Sequence, residues 1–276
     1  MSMMPPPSPS ALQTAPFSFA APVVGAVDIF GLTKRFGRKT AVDNLSLTIP
    51  RGSFFGLVGP NGAGKTTTLR MATGLLRPDA GQVRIDGVDV WPNPANVKAR
   101  LGLVPDGLLL FERLSANEML LYAGLLRGMP EDQVLGRSRE LLDVLGLKED
   151  ADKLIVDYSH GMRKKTALAC ALLHRPPVLV LDEPFEGIDP VSAVNMRTVL
   201  ERYTASGGTV IMSSHVMDLV ERMCDQVAVI AGGRIVANGP IDALRNGGRL
   251  EDAFIHLVGG STVDRDSLGW LDQPVR

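Results

Sequence analysis

A glycine-rich run that ends in a lysine and two threonines is the first group of residues that could do chemistry. The run is Gly59-Pro60-Asn61-Gly62-Ala63-Gly64-Lys65-Thr66-Thr67, and it contains the spacing Gly-x-x-x-x-Gly-Lys-[Ser/Thr]. Glycines there let successive backbone N–H groups turn inward around phosphate oxygens, and a helix N-terminus behind them adds partial positive charge. We therefore expect Lys65 to reach the β- and γ-phosphates of a nucleotide, and the Thr66 hydroxyl to ligate Mg²⁺.

The residues around this run support the phosphate-binding interpretation. A short apolar run, Phe54–Val58, precedes it, and a helical pattern follows from near Gly64 to about Leu76. A strand that leads through a glycine-rich turn into a helix is the context that such a loop requires. That context disfavours the alternative, a glycine-rich structural loop.

An apolar run that ends in two acidic residues is the second candidate for chemistry. Val178–Leu181 is typical of a strand buried on both faces, and it brings Asp182 to the edge of the sheet where parallel α/β proteins bind ligands. Asp182 is expected to hold Mg²⁺ through water, and Glu183 to orient or deprotonate an attacking water. Strand ends often have a solvated acid, so it is the pairing with the phosphate loop that favours the catalytic interpretation.

The elements that must position these residues are predicted to form a parallel sheet with a helical insertion. Two edge strands, Val27–Phe30 and Leu45–Ile49, are expected with a turn-rich link over Gly31–Thr40. Residues from about 106 to 175 are mainly helical and include a capping box at Ser115-Ala-Asn-Glu118. The other predicted elements are helices over Glu131–Leu145, Met162–Leu173 and Val191–Tyr203, and strands over Val83–Ile85, Thr209–Met212 and Val227–Ile230. Because no motif repeats, we expect one nucleotide domain in the chain.

Composition narrows the expected partners. The chain has 29 Lys and Arg against 30 Asp and Glu, so its charge gives no reason to expect nucleic acid as a partner. Cys170 and Cys224 fit neither a metal nor a redox spacing and are expected to be buried free thiols. Residues 1–24 are expected to be a disordered Pro/Ala/Ser-rich tail. Since no segment is long and apolar enough to span a bilayer, a membrane role would require another chain.

The segment Tyr158-Ser159-His160-Gly161-Met162 resembles the signature of ABC (ATP-binding cassette) ATPases, which is usually written LSGGQ. In that family the signature opens a helix and grips the γ-phosphate of ATP held by the opposite subunit. The resemblance implies this role for Ser159 and Gly161, which would present a hydroxyl and backbone N–H groups. The first, third and fifth positions depart from LSGGQ, and the alternative is a plain helix N-cap.

Three further segments resemble family motifs. Gly187-Ile188-Asp189 resembles the D-loop, which communicates across the dimer, and His215 resembles the switch histidine that contacts the γ-phosphate and holds the water and Glu183. Phe36 resembles the aromatic residue that stacks on adenine, often a tyrosine in the family. Without this ordered set of motifs, His215 would be interpreted as a structural residue, and Phe36 as a core aromatic.

One departure from the family pattern lies at Pro105-Asp106, where the family usually has Pro-Gln. That glutamine senses the metal and the attacking water and links the site to the membrane partner. Asp106 can still ligate Mg²⁺, but it is shorter and charged. The alternative is an acidic residue in a surface turn.

The resemblance covers roughly Val27 to Leu257 and implies an α/β, P-loop NTPase fold of the ABC-ATPase type. Its parallel-sheet core would be joined by an antiparallel β subdomain and an α-helical subdomain at about 106–175, within a domain of residues 25–258 and before a C-terminal tail of residues 259–276. It implies an Mg²⁺-dependent ATPase that closes as a nucleotide-sandwich dimer, expected to be a homodimer, and drives a separate membrane permease. The chain would be cytoplasmic, on the inner face of the membrane.

The transport direction and the partner surface follow from weaker signs. The ending Leu250–Phe254 looks like that of bacterial exporter subunits, and the docking surface for a permease is expected near Leu108–Leu121, where apolar residues are frequent.

The alternative is a soluble ABC protein of iron–sulfur assembly, DNA repair or translation. A single cassette disfavours the translation type, and the absence of a long coiled coil disfavours the repair type. A nucleotide kinase is disfavoured by the signature and by His215.

Overall fold

Two β-sheets form the framework of the computed structural model, which describes residues 25–259. The smaller, antiparallel sheet contains β2 (Lys39–Ile49), β1 (Val27–Phe36), β4 (Ala80–Ile85) and β5 (Val88–Asp89), in that spatial order. The larger sheet contains β10 (Arg234–Pro240), β9 (Gln226–Ala231), β3 (Phe54–Val58), β8 (Thr209–Ser214), β7 (Val178–Asp182) and β6 (Leu101–Val104). Its strands run parallel except for the antiparallel pair β10–β9. The predicted tail over residues 1–24 lies outside the described residues, as do residues 260–276.

Helices pack around the larger sheet and make up the insertion between β6 and β7. They are α1 (Lys65–Ala72), α2 (Pro94–Ala99), α3 (Ala116–Leu126), α4 (Glu131–Val144), α5 (His160–Leu172), α6 (Pro190–Ala205), α7 (Met217–Met223), α8 (Ile241–Arg245) and α9 (Leu250–Val258). Short 3₁₀ turns lie between α4 and α5. Within residues 25–259, no helix combines the length and the apolar character that crossing a bilayer requires.

The larger sheet divides the apolar interior into two cores, and β7, which lies between β8 and β6, contributes to both. All residues of β7 are buried, and alternate side chains point to opposite faces. Val178 and Val180 pack with the antiparallel sheet and α1, whereas Leu179 and Leu181 pack with the helices of the insertion. The strand is therefore held on both faces, and this fixes the position of the residues at its carboxyl end.

The helical insertion is stabilised by caps and close packing. Ser115 Oγ accepts a hydrogen bond from Glu118 N at 3.2 Å, and Glu118 Oε2 accepts one from Ser115 N at 2.8 Å, which confirms the predicted capping box. A Cβ atom at Gly124 would lie 2.4 Å from Cγ2 of Val134, so α3 approaches α4 more closely than a larger residue would allow. Buried leucines such as Leu168 then join α5 to this pair of helices.

The predicted link over Gly31–Thr40 is wrong. β1 continues to Phe36 and β2 begins at Lys39, so that only the turn at Gly37 separates the two strands. The strands pair with irregular register, and Gly31 has a φ of 57° at one irregularity. Turn-forming residues here mark bulges inside a hairpin rather than a loop.

Other predicted elements agree with the structure within a few residues at their ends, apart from the first helix. α1 ends at Ala72 instead of Leu76, because Gly74 has a φ of 76° and the N–H groups of Leu75 and Gly74 donate to Arg70 O at 2.8 Å and to Met71 O at 3.2 Å. The short elements α2, β5 and β6, and α7, β10, α8 and α9 towards the C-terminus, were not predicted.

Candidate nucleotide site

The loop between β3 and α1 packs closely against neighbouring backbone, which explains two of its glycines. A Cβ atom at Gly59 would lie 2.3 Å from Ile230 O, and one at Gly64 would lie 2.6 Å from Ala41 O. Gly64 also has a φ of 109°, which L side chains rarely adopt. The fold itself therefore requires glycine at these two positions of the motif.

The same loop is hydrogen-bonded to the antiparallel sheet through the turn between β9 and β10. Gly233 N donates to Ala63 O at 3.0 Å, and Asp43 N donates to Gly233 O at 2.9 Å. These main-chain bonds connect the phosphate loop to β2 and so hold the loop beside the hairpin that contains Phe36.

Lys65 begins α1, where the backbone N–H groups of the first turn have no acceptor within the helix. Its side chain is only 6% exposed. The Nζ atom donates to Gly59 O at 2.7 Å and lies 3.7 Å from Glu183 Oε1. The ammonium group of Lys65 therefore lies between the backbone of the loop and the carboxylate of Glu183.

The buried carboxylate of Asp182 lies at the carboxyl end of β7. Its Oδ1 accepts from Ser213 Oγ at 2.6 Å and from Thr66 Oγ1 at 3.2 Å. The Ser213 hydroxyl also accepts from Glu183 N at 2.9 Å. Ser213 thus holds both acidic residues of the pair, a role that the sequence analysis missed because it depends on β8 lying beside β7.

Glu183 follows β7 with a φ of 48°, a left-handed conformation that is unusual for a residue with a side chain. Its Oε2 lies 3.1 Å from Nδ1 of His215, which follows β8. Neighbouring parallel strands therefore bring the two predicted catalytic side chains into contact at the same edge of the sheet.

These residues surround a cavity of about 480 Å³. The lining residues are Phe36, Lys39, Ala41, Pro60, Asn61, Gly62, Ala63, Gly64, Lys65, Thr66, Thr67, Asp106, Glu183, Glu186 and His215. Lys39, Ala41 and Glu186 were not predicted, although Glu186 lies in the acidic segment after β7. Gly59 and Asp182 lie behind the lining, where they contact Lys65 and Thr66.

Phe36 lines the cavity and is 51% exposed. Lys34 Nζ lies 5.7 Å from the centre of its ring. A half-exposed aromatic ring at the rim of a cavity contradicts the alternative of a core aromatic, because a core residue would be covered on all sides.

Ser159 and Gly161 lie outside this lining, at the N-terminus of α5. Ser159 Oγ accepts from Met162 N at 3.2 Å, so it does cap the helix. A Cβ atom at Gly187 would lie 3.2 Å from Cδ2 of His160, which places the signature segment against the D-loop segment. The structure therefore separates these residues from the cavity of their own chain.

Lys164 is a buried cation near the site that the sequence analysis did not single out. Its Nζ donates to Glu183 O and to Glu186 O, each at 2.7 Å. Burial lowers the pKa of Lys164, while the nearby carboxylates of Glu186, Asp106, Glu183 and Asp182 act in the opposite direction. α5 is thus bonded to the segment that follows β7.

A comparison of the sequence with models of protein families finds a match that covers about half of the chain. The family model described as "ABC transporter" matches residues 42–186, which include the phosphate loop, the signature segment and the acidic pair. This chain belongs to the ABC transporter family. It is an ATP-binding subunit of the ABC type, and its enzymatic activity is the hydrolysis of ATP.

Curated relatives of this ABC subunit are named as ATP-binding proteins. It is 36% identical over 208 residues to the linearmycin resistance ATP-binding protein LnrL of Bacillus subtilis (strain 168), with 75% of this chain and 67% of the relative covered. It is also 36% identical over 221 residues to the daunorubicin/doxorubicin resistance ATP-binding protein DrrA of Streptomyces peucetius, with 80% and 67% covered.

The fold of this ABC subunit is likewise found among solved structures. The structure of an ATP binding subunit of an ABC transporter superposes with a TM-score of 0.80 at 27% identity, over 84% of this chain and 99% of that chain. The predicted ABC-ATPase fold, with a parallel core and an antiparallel sheet, is confirmed.

Proposed function

We propose that this ABC subunit works in a dimer, with each ATP held between the phosphate loop of one copy and the signature segment of the other. The observation that favours this arrangement is the separation of Ser159 and Gly161 from the cavity that contains Lys65. A helix N-terminus with a hydroxyl is a suitable anion site, and a second copy would bring it to the open side of the cavity. ATP binding would then favour closure, because contacts with both copies exist only in the closed state.

The lining residues fit distinct roles towards ATP. The backbone N–H groups of residues 60–67 and Lys65 would bind the β- and γ-phosphates, with Gly59 and Gly64 allowing the close approach. Phe36 would stack on the adenine. Glu183 would orient or deprotonate the attacking water, and His215, in contact with Glu183, would keep that carboxylate and the water in position near the γ-phosphate.

Oxygen ligands at the edge of the cavity fit Mg²⁺. Thr66 Oγ1 and Asp182 Oδ1 lie 3.2 Å apart, and Asp106 lines the cavity nearby. Among the described residues, no cluster of three or more His, Cys, Asp or Glu residues could hold a metal alone. This suits Mg²⁺, which prefers one or two carboxylates with phosphate oxygens and water. When bound, Mg²⁺ would neutralise charge on the phosphates.

The relatives support a role in export. Their names concern resistance to linearmycin and to daunorubicin/doxorubicin, and a further relative, 40% identical over 219 residues, is the Nod factor export ATP-binding protein I of Paraburkholderia xenovorans. We therefore assign the subunit to an exporter, on the cytoplasmic face of the membrane, with a separate membrane permease as partner. No relative described above favours the alternative of iron–sulfur assembly.

An exposed apolar surface on the helical insertion fits the permease. The expected surface over Leu108–Leu121 is narrower than predicted, because Leu120 is buried in the core. Leu109 is 88% exposed, and the exposed rings of Phe111 and Tyr122 pack edge to face with their centres 5.3 Å apart. Exposed apolar patches of this kind are typical of protein interfaces.

Two measurements test the proposal. Purification of the subunit from detergent-solubilised membranes of its native cell should recover a polytopic membrane protein, and Leu109→Glu should reduce that recovery while ATPase activity persists.

A hydrolysis-blocked preparation with ATP should be dimeric by light scattering, and Ser159→Arg should keep it monomeric. A wild-type stoichiometry with Ser159→Arg would contradict the shared site.

A further inference from the structure

Lys164 connects two parts of the chain that the proposed function assigns to different nucleotides. It lies on α5, whose N-terminus is capped by Ser159, and its ammonium group reaches the segment after β7. Both of its bonds end on main-chain carbonyls, those of Glu183 and Glu186. In the proposed dimer, Ser159 serves the ATP of the partner and Glu183 serves the ATP of its own chain.

The charge of the buried Lys164 ammonium group is stabilised by the oxygen atoms around it. The residue is 3% exposed, and an unpaired buried charge is strongly unfavourable. Two carbonyl oxygens at 2.7 Å and the nearby carboxylates compensate for its burial. A charge that is kept at this depth and bound to two main-chain oxygens is positioned rather than free to move.

One of the two contacts falls on a residue whose main chain is held in an unusual conformation. Glu183 has a φ of 48°, and such a conformation persists only where surrounding contacts enforce it. Its N–H group donates to Ser213 Oγ at 2.9 Å, and its carbonyl accepts from Lys164. The residue is therefore held at both of its peptide groups, by β8 on one side and by α5 on the other.

We propose that Lys164 is a positioning residue, which holds the main chain of Glu183 from its place on α5. Movement of the signature segment in one nucleotide site would then displace the catalytic base of the other nucleotide site. The proposal rests on the proposed function, because it uses the roles of Ser159 and Glu183. Lys164 itself is not among the residues that line the cavity, so it would act through Glu183.

The first test compares nucleotide binding with turnover in Lys164→Met, which keeps the length of the side chain and removes its donors. The phosphate loop is untouched, so the Kd for ATP should stay within about twofold, while kcat falls about 10- to 100-fold because the base is misplaced. Lys164→Gln provides a second variant that keeps polarity. Unchanged kcat in a folded variant overturns the proposal, and so does loss of folding in both variants, which would make the residue structural.

The second test separates an effect of Lys164 on the catalytic base from an effect on the signature segment. Dimers are purified from two differently tagged full-length copies, one of which contains Glu183→Gln, so that the only active base belongs to the other copy. Lys164→Met is placed in the copy with the active base. The signature of that copy faces the blocked site, so a slower single turnover reports on its Glu183 alone.

Arg163→Met in the same copy is the matched control. Arg163 precedes Lys164 on α5, but its bonds go to Glu112, Val156 and Tyr158 within the helical insertion. Single turnover should slow with Lys164→Met and stay near the rate of the unmodified mixed dimer with Arg163→Met. Equal rates for the two variants would overturn the proposal.

Failure of the proposed function gives a different pattern. If Glu183→Gln turned over normally, or if no dimer formed with ATP, the shared site would be wrong whatever Lys164 did. If Glu183→Gln blocks hydrolysis and traps the dimer while Lys164→Met hydrolyses ATP normally, only the role of Lys164 is overturned.

Discussion

Glu183 Oε2 and His215 Nδ1 lie 3.1 Å apart, although the two residues are 32 positions apart in the sequence. They meet because β7 and β8 are neighbours, with Asp182 paired to Ser213 at their carboxyl ends. The other oxygen of the carboxylate, Oε1, is 3.7 Å from Lys65 Nζ. One carboxylate thus connects the lysine of the phosphate loop with the histidine after β8. Because β3, β8 and β7 are adjacent, the three side chains converge at one edge of the sheet.

Glu183→Gln removes the proton acceptor and keeps the shape of the side chain. We expect kcat to fall at least about 100-fold, since a positioned general base contributes that much or more. Binding of ATP should persist, and the ATP-bound dimer should accumulate in size-exclusion chromatography with light scattering. Ordinary turnover in this variant would remove Glu183 from its proposed role.

His215→Ala should slow hydrolysis while ATP binding changes little. Without the ring, the Glu183 carboxylate loses its contact at 3.1 Å and keeps only the longer one with Lys65, so it is less firmly positioned. A loss of about 10- to 100-fold in kcat is expected, as for other misplaced catalytic groups. The exposed His256 of α9 offers a matched control, and a similar loss in His256→Ala would point to a general effect of histidine removal.

Lys65→Ala should weaken ATP binding itself. Charge-assisted hydrogen bonds contribute about 1.5–3 kcal/mol each, so we expect Kd to rise on the order of 10- to 100-fold in isothermal titration. Lys98→Ala changes an exposed lysine of α2 in the same way and should bind ATP normally. Equal affinities for Lys65→Ala and the wild-type chain would contradict the assignment of the phosphate loop.

Phe36→Ala should weaken the binding of ATP without slowing the hydrolysis of bound ATP. Stacking of an aromatic ring on a base contributes about 1–3 kcal/mol in nucleic-acid complexes, which corresponds to a Kd roughly 5- to 150-fold higher. Phe30→Ala removes another exposed ring of β1, one that contacts Arg84 instead of the cavity. If both variants bound ATP equally well, the stacking role would be wrong.

Motifs that depend on local spacing were predictable from the sequence, whereas contacts that depend on strand order were not. The phosphate loop and the capping box at Ser115 follow from short-range patterns, and the structure has both. The hairpin of β1 and β2 was missed because its turn-forming residues lie in bulges, which pairing with β4 stabilises. The role of Ser213 depends on β8 lying next to β7, and that of Lys164 on where α5 packs. The catalytic roles stay predictions.

His174 should make the protein less stable in mild acid. Burial, with a contribution from Arg127, lowers its pKa to about 4, and its Nδ1 is buried without a hydrogen-bond partner among the described residues. The unfolded chain, with a pKa of roughly 6.5, binds the proton first. The stabilisation is therefore complete above that value and is lost as the pH falls towards 4.

Urea titrations at pH 7.5 and pH 5 measure this effect. With solvent screening taken into account, the wild-type chain should lose about 1–2 kcal/mol more of its free energy of unfolding than His174→Gln does. His256→Gln removes an exposed histidine and should keep the wild-type difference between the two pH values. An identical loss in His174→Gln and wild type would show that another group causes the acid sensitivity.

The phosphate loop meets the antiparallel sheet at Gly64 and Gly233, where the neighbouring atoms are the backbone of Ala41 and the side chain of Val42. Main-chain hydrogen bonds from Gly233 N to Ala63 O and from Asp43 N to Gly233 O cross the same junction. A Cβ atom at Gly233 would lie 2.8 Å from Ala41 O, so any larger residue there would push β2 and the turn after β9 apart. The placement of the loop beside the hairpin of Phe36 therefore depends on a glycine that is distant from the loop in the sequence.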